Sequence, residues 1–195
     1  LMILNRVDLA DPKVTQRWRK YYQDQGFSVL ETDAKSGKGV NNFVPAVKKL
    51  LAEKIREYEA KGQVGRALRV MILGIPNVGK STFINKVAGR KAALAGDKPG
   101  VTRGKQWINI DAGLDLLDTP GILWPKFEDP EVGMKLAYTG AVKEDILDIE
   151  ELAVFLMKLL WTHYPDAVKA RYNIDMPADA TGYELLEAAG RKRGF

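Results

Sequence analysis

Residues 74–82 of the chain, Gly-Ile-Pro-Asn-Val-Gly-Lys-Ser-Thr, match the phosphate-binding pattern G-x-x-x-x-G-K-[ST] at every position. Glycines let the backbone wrap a phosphate, so that main-chain N–H groups and a helix N-terminus point at the anion. Lys80 is then placed to reach the β- and γ-phosphates, and the Ser81 hydroxyl to hold magnesium. An apolar, β-prone run precedes the loop and apolar residues at helical spacing follow it, so the sequence predicts nucleotide binding.

A second stretch has the residue types that recognise a guanine base. Residues 5–8, Asn-Arg-Val-Asp, resemble the Asn-Lys-x-Asp motif of regulatory and translational GTPases, with Arg6 in place of lysine. The Asp8 carboxylate is suited to accept both the ring N–H and the exocyclic amine of guanine. Adenine leaves that acceptor unpaired, at a cost of a few kcal/mol. Taken alone, the stretch also fits an ordinary turn or helix cap after a strand.

A third stretch, residues 33–35, follows another short predicted strand at residues 27–30. It resembles the Ser-Ala-Lys motif that closes over guanine, with Asp33 in the serine place. The resemblance implies that the backbone N–H of Ala34 donates to the guanine carbonyl oxygen. Two such motifs at strand ends, about 25 residues apart, support each other as a base site.

Residues 118–121, Asp-Thr-Pro-Gly, match the D-x-x-G motif of GTPases and end a predicted hairpin that begins at Trp107. In that motif Asp118 holds magnesium through water, and the Gly121 N–H senses the γ-phosphate. The turn-rich stretch 97–104 falls where GTPases keep switch I. Thr102 is therefore the candidate that closes onto the metal and the γ-phosphate.

The order of these motifs is unusual, because both guanine motifs precede the phosphate loop. The chain thus resembles a circularly permuted GTPase, an arrangement that is tolerated because domain termini lie close together at the surface. Within this class it is similar to the ribosome biogenesis GTPase A (YlqF-type) family, on residues 74–82, 96–103 and 118–125. The run Ile-Leu-Trp-Pro after D-x-x-G is the most specific part, because GTP binding does not demand it.

The resemblance implies a slow GTPase that acts as an assembly factor for the large (50S) ribosomal subunit. Its cofactors would be GTP or GDP and Mg²⁺, with K⁺ as a further candidate. Its partners would be the ribosomal RNA and ribosomal proteins of the maturing subunit, and it would be a cytoplasmic monomer without membrane contact. Many GTPases orient water with a glutamine just after D-x-x-G, but Ile122 and Leu123 stand there. The sequence leaves two roles open for Asn77: holding a potassium ion, or suiting the backbone angles of the loop.

The candidate residues can be grouped by role. Those for nucleotide binding are Asn5, Arg6, Asp8, Asp33, Ala34, Lys35, Asn77, Val78, Gly79, Lys80, Ser81, Thr82 and Gly121. Those for catalysis are Lys80, Asn77, Thr102 and Gly121, and those for the metal are Ser81, Thr102 and Asp118.

The predicted fold class is α/β, a P-loop GTPase sheet with flanking helices in permuted order, followed by a small all-α domain. We expect the GTPase domain over residues 1–140 and the helical domain over residues 141–195. A long amphipathic helix is predicted over residues 40–61, with Leu50 on its core face. A GTPase sheet also needs a strand that would precede Leu1, so we expect a strand and a helix N-terminal to this sequence.

Composition sets further bounds. The 195 residues contain no cysteine and one histidine, which excludes a disulfide framework and a cysteine zinc site. Residues 1–138 carry 23 Lys and Arg against 15 Asp and Glu, whereas residues 139–195 carry 7 against 10. A basic first part fits a polyanionic partner as well as a merely solvated surface. In the family the helical tail binds RNA, but its acidic balance favours packing helices.

Two other functions compete with a GTPase switch. A P-loop ATPase or nucleotide kinase shares the phosphate loop but leaves the paired guanine motifs unexplained. A nucleotide-dependent binding module without useful turnover fits all the motifs equally well.

The base motif predicts a change of specificity. Asp8→Asn presents an amide donor where guanine also has a donor, so preference should move from guanine towards xanthine nucleotides. Titration of wild type and variant with GDP and XDP measures this change. If Asp8→Asn leaves the affinity for GTP and GDP unchanged, the base is bound elsewhere.

Overall fold

The computed structural model of the chain describes residues 1–89, 106–110, 113–122, 129–142 and 148–195. It divides the chain into two compact units, Leu1–Val142 and Lys143–Phe195. Thr102 and Leu123 lie outside the described residues. So do residues 96–103 and 123–125, which carry part of the family resemblance. Among the described residues, no helix combines the length and the apolar character needed to cross a membrane.

Five strands of the first unit form two small sheets. β1 (Met2–Asn5) pairs in parallel with β2 (Val29–Thr32), which lies two residues later than the sequence predicted. β3 (Leu68–Met71) pairs in parallel with β5 (Leu114–Asp118), and β5 pairs antiparallel with β4 (Gln106–Ile110), so the predicted hairpin is confirmed. Within the described ranges no strand joins β1 to β3; the expectation of a preceding strand stays a prediction.

The connection between β1 and β2 is α1 (Pro12–Asp24). Its N-cap is Asp11, whose carboxylate accepts the backbone N–H groups of Lys13 and Val14. Pro12 occupies the first helical position, where its missing N–H costs nothing. The crossover is therefore a β–α–β unit, and it places the residues after β1 and β2 at the same edge of the small sheet.

The long helix predicted over residues 40–61 is wrong. Its residues form a short 3₁₀ turn at Val40–Asn42, then α2 (Phe43–Leu50) and α3 (Ala52–Ala60). Pro45 explains the late start, because it has no N–H for the carbonyl four residues back and its ring clashes there. The second break is at Leu51, whose backbone leaves the helical region at φ −103° and ψ 17°. Leu50 consequently lies outside the core, with 49 % of its surface exposed.

One apolar core joins the two sheets of the first unit through α2 and α4 (Lys80–Ala88). Phe43 of α2 meets Phe83 of α4 edge to face, with ring centroids 5.1 Å apart. Ile84, Leu114 and Leu116 are fully buried beside them. The phosphate loop thus lies between β3, of which Leu68 is buried, and a helix whose first turns are anchored in the core by Phe83 and Ile84. A further helix, α5 (Pro130–Tyr138), ends the described part of this unit.

In the second unit the described residues form three helices, α6 (Ile149–His163), α7 (Pro165–Tyr172) and α8 (Gly182–Arg193). α6 packs closely on α8, since a Cβ at Gly182 would lie 2.1 Å from the Val154 carbonyl oxygen. Met157, Trp161 and Leu185 form the centre of a separate small core. A capping box between Thr181 and Glu184 starts α8.

Candidate functional site

The Asn5 side chain connects the three loops that the sequence assigns to the nucleotide. Its Nδ2 donates to the Val78 carbonyl of the phosphate loop at 2.8 Å. Its Oδ1 accepts the Thr32 hydroxyl at 3.1 Å and the Ala34 N–H at 3.0 Å. A carboxamide offers a donor group and an acceptor oxygen on one rigid plane. Asn5 therefore holds the residues after β1, the residues after β2 and the phosphate loop together.

The phosphate loop approaches this carboxamide closely. Gly79 has φ +94°, and a Cβ there would lie 2.5 Å from Asn5 Nδ2. Both the left-handed backbone and the lack of space require glycine at this position. The Lys80 ammonium donates to the Gly74 and Ile75 carbonyls at 3.0 and 2.8 Å. Burial lowers the pKa of Lys80 below its usual value, and the nearby negative charge of Asp118 partly offsets that change.

The parallel pairing of β3 with β5 brings Asp118 to the end of the phosphate loop. Asp118 is 1 % exposed, and its Oδ2 accepts the Ser81 hydroxyl at 2.9 Å. Its Oδ1 is buried and has no hydrogen-bond partner in the part of the chain that the structure describes. A buried carboxylate oxygen without a partner is costly unless a cation or water satisfies it. Hydroxyl and carboxylate oxygens are the donors that Mg²⁺ prefers, so these residues fit the ion.

The D-x-x-G loop lies directly against the phosphate loop. A Cβ at Gly121 would approach the Pro76 backbone nitrogen and Cα to 2.6 Å. The Ile122 N–H donates to the Gly74 carbonyl at 3.2 Å, and the Thr119 hydroxyl donates to the Ile72 carbonyl at 2.6 Å. Any side chain at position 121 would therefore push these two loops apart.

Asn77 is held by a contact that the sequence did not indicate. Its backbone has φ +55°, a region in which asparagine is enriched among non-glycine residues. Its Nδ2 donates to the Gly140 carbonyl at 2.7 Å. The backbone angle agrees with the second role that the sequence left open, and the bond ties the phosphate loop to the residues that follow α5.

The two base motifs form turns that meet at β1 and β2. Arg6 has φ +61° and is exposed, and the Val7 N–H donates to the Thr32 carbonyl at 3.2 Å. Asp8 is exposed and forms no hydrogen bond with the described residues. The prediction that Asp8 reads the guanine edge stays a prediction.

Asp33, which stands in the serine place, organises its own loop. Its Oδ1 accepts the Lys35 N–H at 2.9 Å, and its backbone N–H donates to the Lys38 carbonyl at 2.9 Å. A hydrogen bond from the Ser36 hydroxyl holds the pKa of Asp33 below its usual value, against the opposing effect of burial. The Ala34 N–H already donates to Asn5, so its predicted bond to guanine requires the N–H to be shared or exchanged.

Thr32, Thr119 and Gly140 take part in these contacts but were not among the predicted residues. Thr32 is fully buried, and a buried hydroxyl at a strand end could have indicated a hydrogen-bond partner nearby. Thr119 lies inside the D-x-x-G motif, but the motif does not fix its second residue. Gly140 has no sequence signal, because its contact with Asn77 spans 63 positions.

The Asn5 contacts predict a measurable loss of stability. Asn5→Ala removes three hydrogen bonds, so the free energy of unfolding should fall by roughly 1.5–4.5 kcal/mol, at about 0.5–1.5 kcal/mol per bond. The affinity for GDP should fall with it. Urea unfolding and GDP titration measure the two effects. Asn42→Ala is the matched control, since Asn42 is exposed and its side chain caps no helix; equal losses in both variants would contradict the role of Asn5.

Comparison with known proteins agrees with this arrangement. A family model described as "50S ribosome-binding GTPase" matches residues 69–174. Ribosome biogenesis GTPase A of Priestia megaterium is 52 % identical over 196 aligned residues, covering all of this chain and 67 % of that protein. The Thermotoga maritima protein of the same name is 34 % identical over 152 residues, which cover 78 % of this chain and 52 % of that protein.

The chain is also similar to solved structures of YlqF proteins. The GNP-bound YlqF from T. maritima has a TM-score of 0.53 and 26 % identity, covering all of this chain and 78 % of that one. GDP-bound YlqF has a TM-score of 0.51 and 25 % identity, covering 98 % and 79 %. The chain spans about two thirds of the length of the first curated relatives it matches. These matches show that the chain belongs to the ribosome biogenesis GTPase A family of circularly permuted GTPases, with the P-loop GTPase fold, guanine-nucleotide binding and GTP hydrolysis that define it.

Proposed function

We propose that this GTPase is a nucleotide-controlled switch in the assembly of the large (50S) ribosomal subunit. It docks as a monomer on the maturing particle in the cytoplasm, contacts ribosomal RNA and proteins, and leaves after hydrolysis. The observation that carries the proposal is the Asn5 carboxamide, which joins both base motifs to the phosphate loop as a GTPase site requires. The relatives' names, which refer to ribosome biogenesis and to the 50S ribosome, supply the partner.

At the phosphate end, the backbone N–H groups of Val78, Gly79, Ser81 and Thr82 surround the phosphates, and Lys80 contributes charge. The pKa of Lys80 is lowered because burial destabilises the charged ammonium. A bound phosphate would place negative charge beside the ammonium and stabilise it. Ser81 and Asp118 would hold Mg²⁺, which neutralises phosphate charge when bound. The unpartnered Asp118 Oδ1 supports this assignment. Thr102, outside the described residues, remains the proposed switch ligand.

At the base end, Asp8 reads the guanine edge, and Arg6 and Lys35 lie beside the ring plane. Asp33 shapes the loop that presents Ala34. The hydrogen bond between the Thr32 hydroxyl and Asn5 Oδ1 supports this arrangement, because it joins the strand end before one motif to the first residue of the other.

Gly121 acts as the sensor of the γ-phosphate. Its approach to Pro76 means that a shift of the D-x-x-G backbone has to move the phosphate loop or break the bond between Ile122 and Gly74. Ile122 is 66 % exposed and has no group that could orient a water. We therefore propose slow turnover that accelerates only when a partner or a cation supplies the missing group.

We propose that the helices over residues 141–195 serve mainly to pack on one another, as their small core does, and that RNA binding through their own charges is secondary. Three of its six described basic side chains are engaged within the unit: Lys169 with Asp175, Arg191 with Glu187, and Lys158 with the Ala180 carbonyl. Side chains held in this way offer less charge to a phosphate backbone than free ones.

The proposed function predicts a nucleotide preference and a response to ribosomal particles. Calorimetric titration should give tight binding of GDP and GTP and binding of ATP weaker by about 100-fold, the cost of an unpaired acceptor in the base site. Turnover should rise when 50S particles are added. Equal affinities for ATP and GTP would contradict the proposed guanine site. A turnover rate that is unaffected by 50S particles would contradict the proposed partner.

The role of Asn77 gives a separate prediction. If its carboxamide helps to hold K⁺ beside the phosphates, wild-type turnover should be about tenfold faster in KCl than in NaCl, equivalent to ~1.4 kcal/mol of transition-state stabilisation. Asn77→Gly should lose this difference, because glycine keeps the positive φ but lacks the carboxamide.

Two outcomes would contradict the cation role. One is equal wild-type turnover in matched KCl and NaCl. The other is an Asn77→Gly enzyme that keeps the potassium effect while Asn77→Ala is slow in both salts, since that pattern assigns Asn77 to the backbone conformation alone.

A further inference from the structure

A cavity of about 370 Å³ lies beside the start of β3, in the first unit. Three cationic side chains line it: Lys54 of α3, Arg66 just before β3, and Arg69 of β3. Tyr58 and Asp115 lie among the other lining residues. We call it the basic cavity. It is open to solvent, because all three cationic residues are exposed.

The cations of the basic cavity are held by aromatic rings. The Arg66 guanidinium lies 4.6 Å from the centroid of the Tyr58 ring, and the Lys54 ammonium lies 6.0 Å from it. The Arg69 guanidinium lies 5.3 Å from the ring of Trp107, which is half exposed on β4. Such contacts orient a cation without neutralising it. The two guanidinium groups are therefore ordered and keep their full positive charge.

No carboxylate of the described chain forms an ion pair with these three cations. Asp115 is the lining residue with negative charge, and its Oδ1 accepts the Asn109 amide at 2.8 Å. Five other cations of the described chain each pair with an acid: Arg19, Lys20, Lys135, Lys169 and Arg191. Scattered cations such as Arg17 and Arg56 form no ion pair with the described residues either, but they line no part of this cavity. What distinguishes the basic cavity is that three cations and one carboxylate share a concave surface, which leaves a net positive charge where the field is strongest.

We propose that the basic cavity binds the phosphate backbone of RNA. A guanidinium presents a planar fork of donors that matches a phosphate, and two ordered forks beside a lysine can engage adjacent phosphates of one strand. A single small anion would reach only part of this open surface. The inference rests on the proposed function and deepens it, because it names the RNA backbone as what the ribosomal partner presents at this place.

The basic cavity is separate from the nucleotide site. Arg69 lies in β3, whereas the phosphate loop begins at Gly74, beyond the opposite end of that strand. At about 3.3 Å per residue of extended chain, the five steps between them span roughly 16 Å. RNA binding and GTP binding can therefore be measured independently in the same variant.

The test uses the 195-residue chain and a short fluorescein-labelled RNA hairpin with a single-stranded tail, followed by anisotropy between about 50 and 200 mM salt. Arg66→Gln/Arg69→Gln should weaken RNA binding by roughly tenfold or more. It should also reduce the slope of log K against log salt by roughly 1.4–1.8, the value expected for two lost phosphate contacts. GDP binding should stay at the wild-type level.

Arg17→Gln/Arg56→Gln is the matched control. It removes the same charge from two exposed arginines that line no part of the basic cavity and form no ion pair with the described residues. It should leave RNA binding nearly unchanged. Equal losses in the two double variants, or an unchanged slope in Arg66→Gln/Arg69→Gln, would overturn the proposal.

Further arms identify other occupants. Inorganic phosphate that displaces the RNA at low millimolar concentration while Arg66→Gln/Arg69→Gln abolishes phosphate binding would assign the cavity to a small anion. A variant that keeps RNA affinity but no longer co-sediments with 50S particles would assign it to a ribosomal protein. Either result overturns the RNA assignment. Failure of GDP binding in wild type would refute the proposed function and leave the RNA result standing.

Discussion

The Asn5 carboxamide is the interaction on which the nucleotide site depends. β1 and β2 form one small sheet and β3 begins another, so strand pairing among the described residues does not connect the base motifs to the phosphate loop. The bond from Asn5 to the Val78 carbonyl makes that connection, and Gly79 leaves the space it needs. Because the same carboxamide also fixes Thr32 and Ala34, one side chain sets the distance between the place for the base and the place for the phosphates.

The phosphate end depends on a buried charge. Asp118 is placed by the pairing of β3 with β5, and its carboxylate is almost completely buried beside Ser81 and near Lys80. Burial of a carboxylate with one oxygen unpartnered costs free energy in the isolated chain, and a bound cation would recover that cost. A local cost of this kind, which binding would relieve, is common at functional sites.

Much of this site could be predicted from sequence because its chemistry is local. The phosphate loop and D-x-x-G each occupy a few consecutive residues at a strand end, so residue types and their spacing are enough to find them. The failures have different causes, one local and the others non-local. Residues 40–61 kept a helical pattern of apolar residues, yet Pro45 delays the helix and Leu51 interrupts it. The contact of Asn77 with Gly140 and the meeting of Lys54, Arg66 and Arg69 join residues with no common spacing, so they require the fold.

Circular permutation leaves the same motifs at the nucleotide but changes which part of the chain follows D-x-x-G. In this order D-x-x-G and α5 are the last elements before the helical unit, and Gly140 lies two residues before the first unit ends at Val142. Asn77 of the phosphate loop donates to the carbonyl of that same Gly140. A change in the phosphate loop that weakens this bond would act directly on the segment that leads into the second unit. In an unpermuted GTPase the two guanine motifs lie between D-x-x-G and any domain appended at the C-terminus. Permutation therefore shortens the covalent path from the phosphate loop to the appended domain.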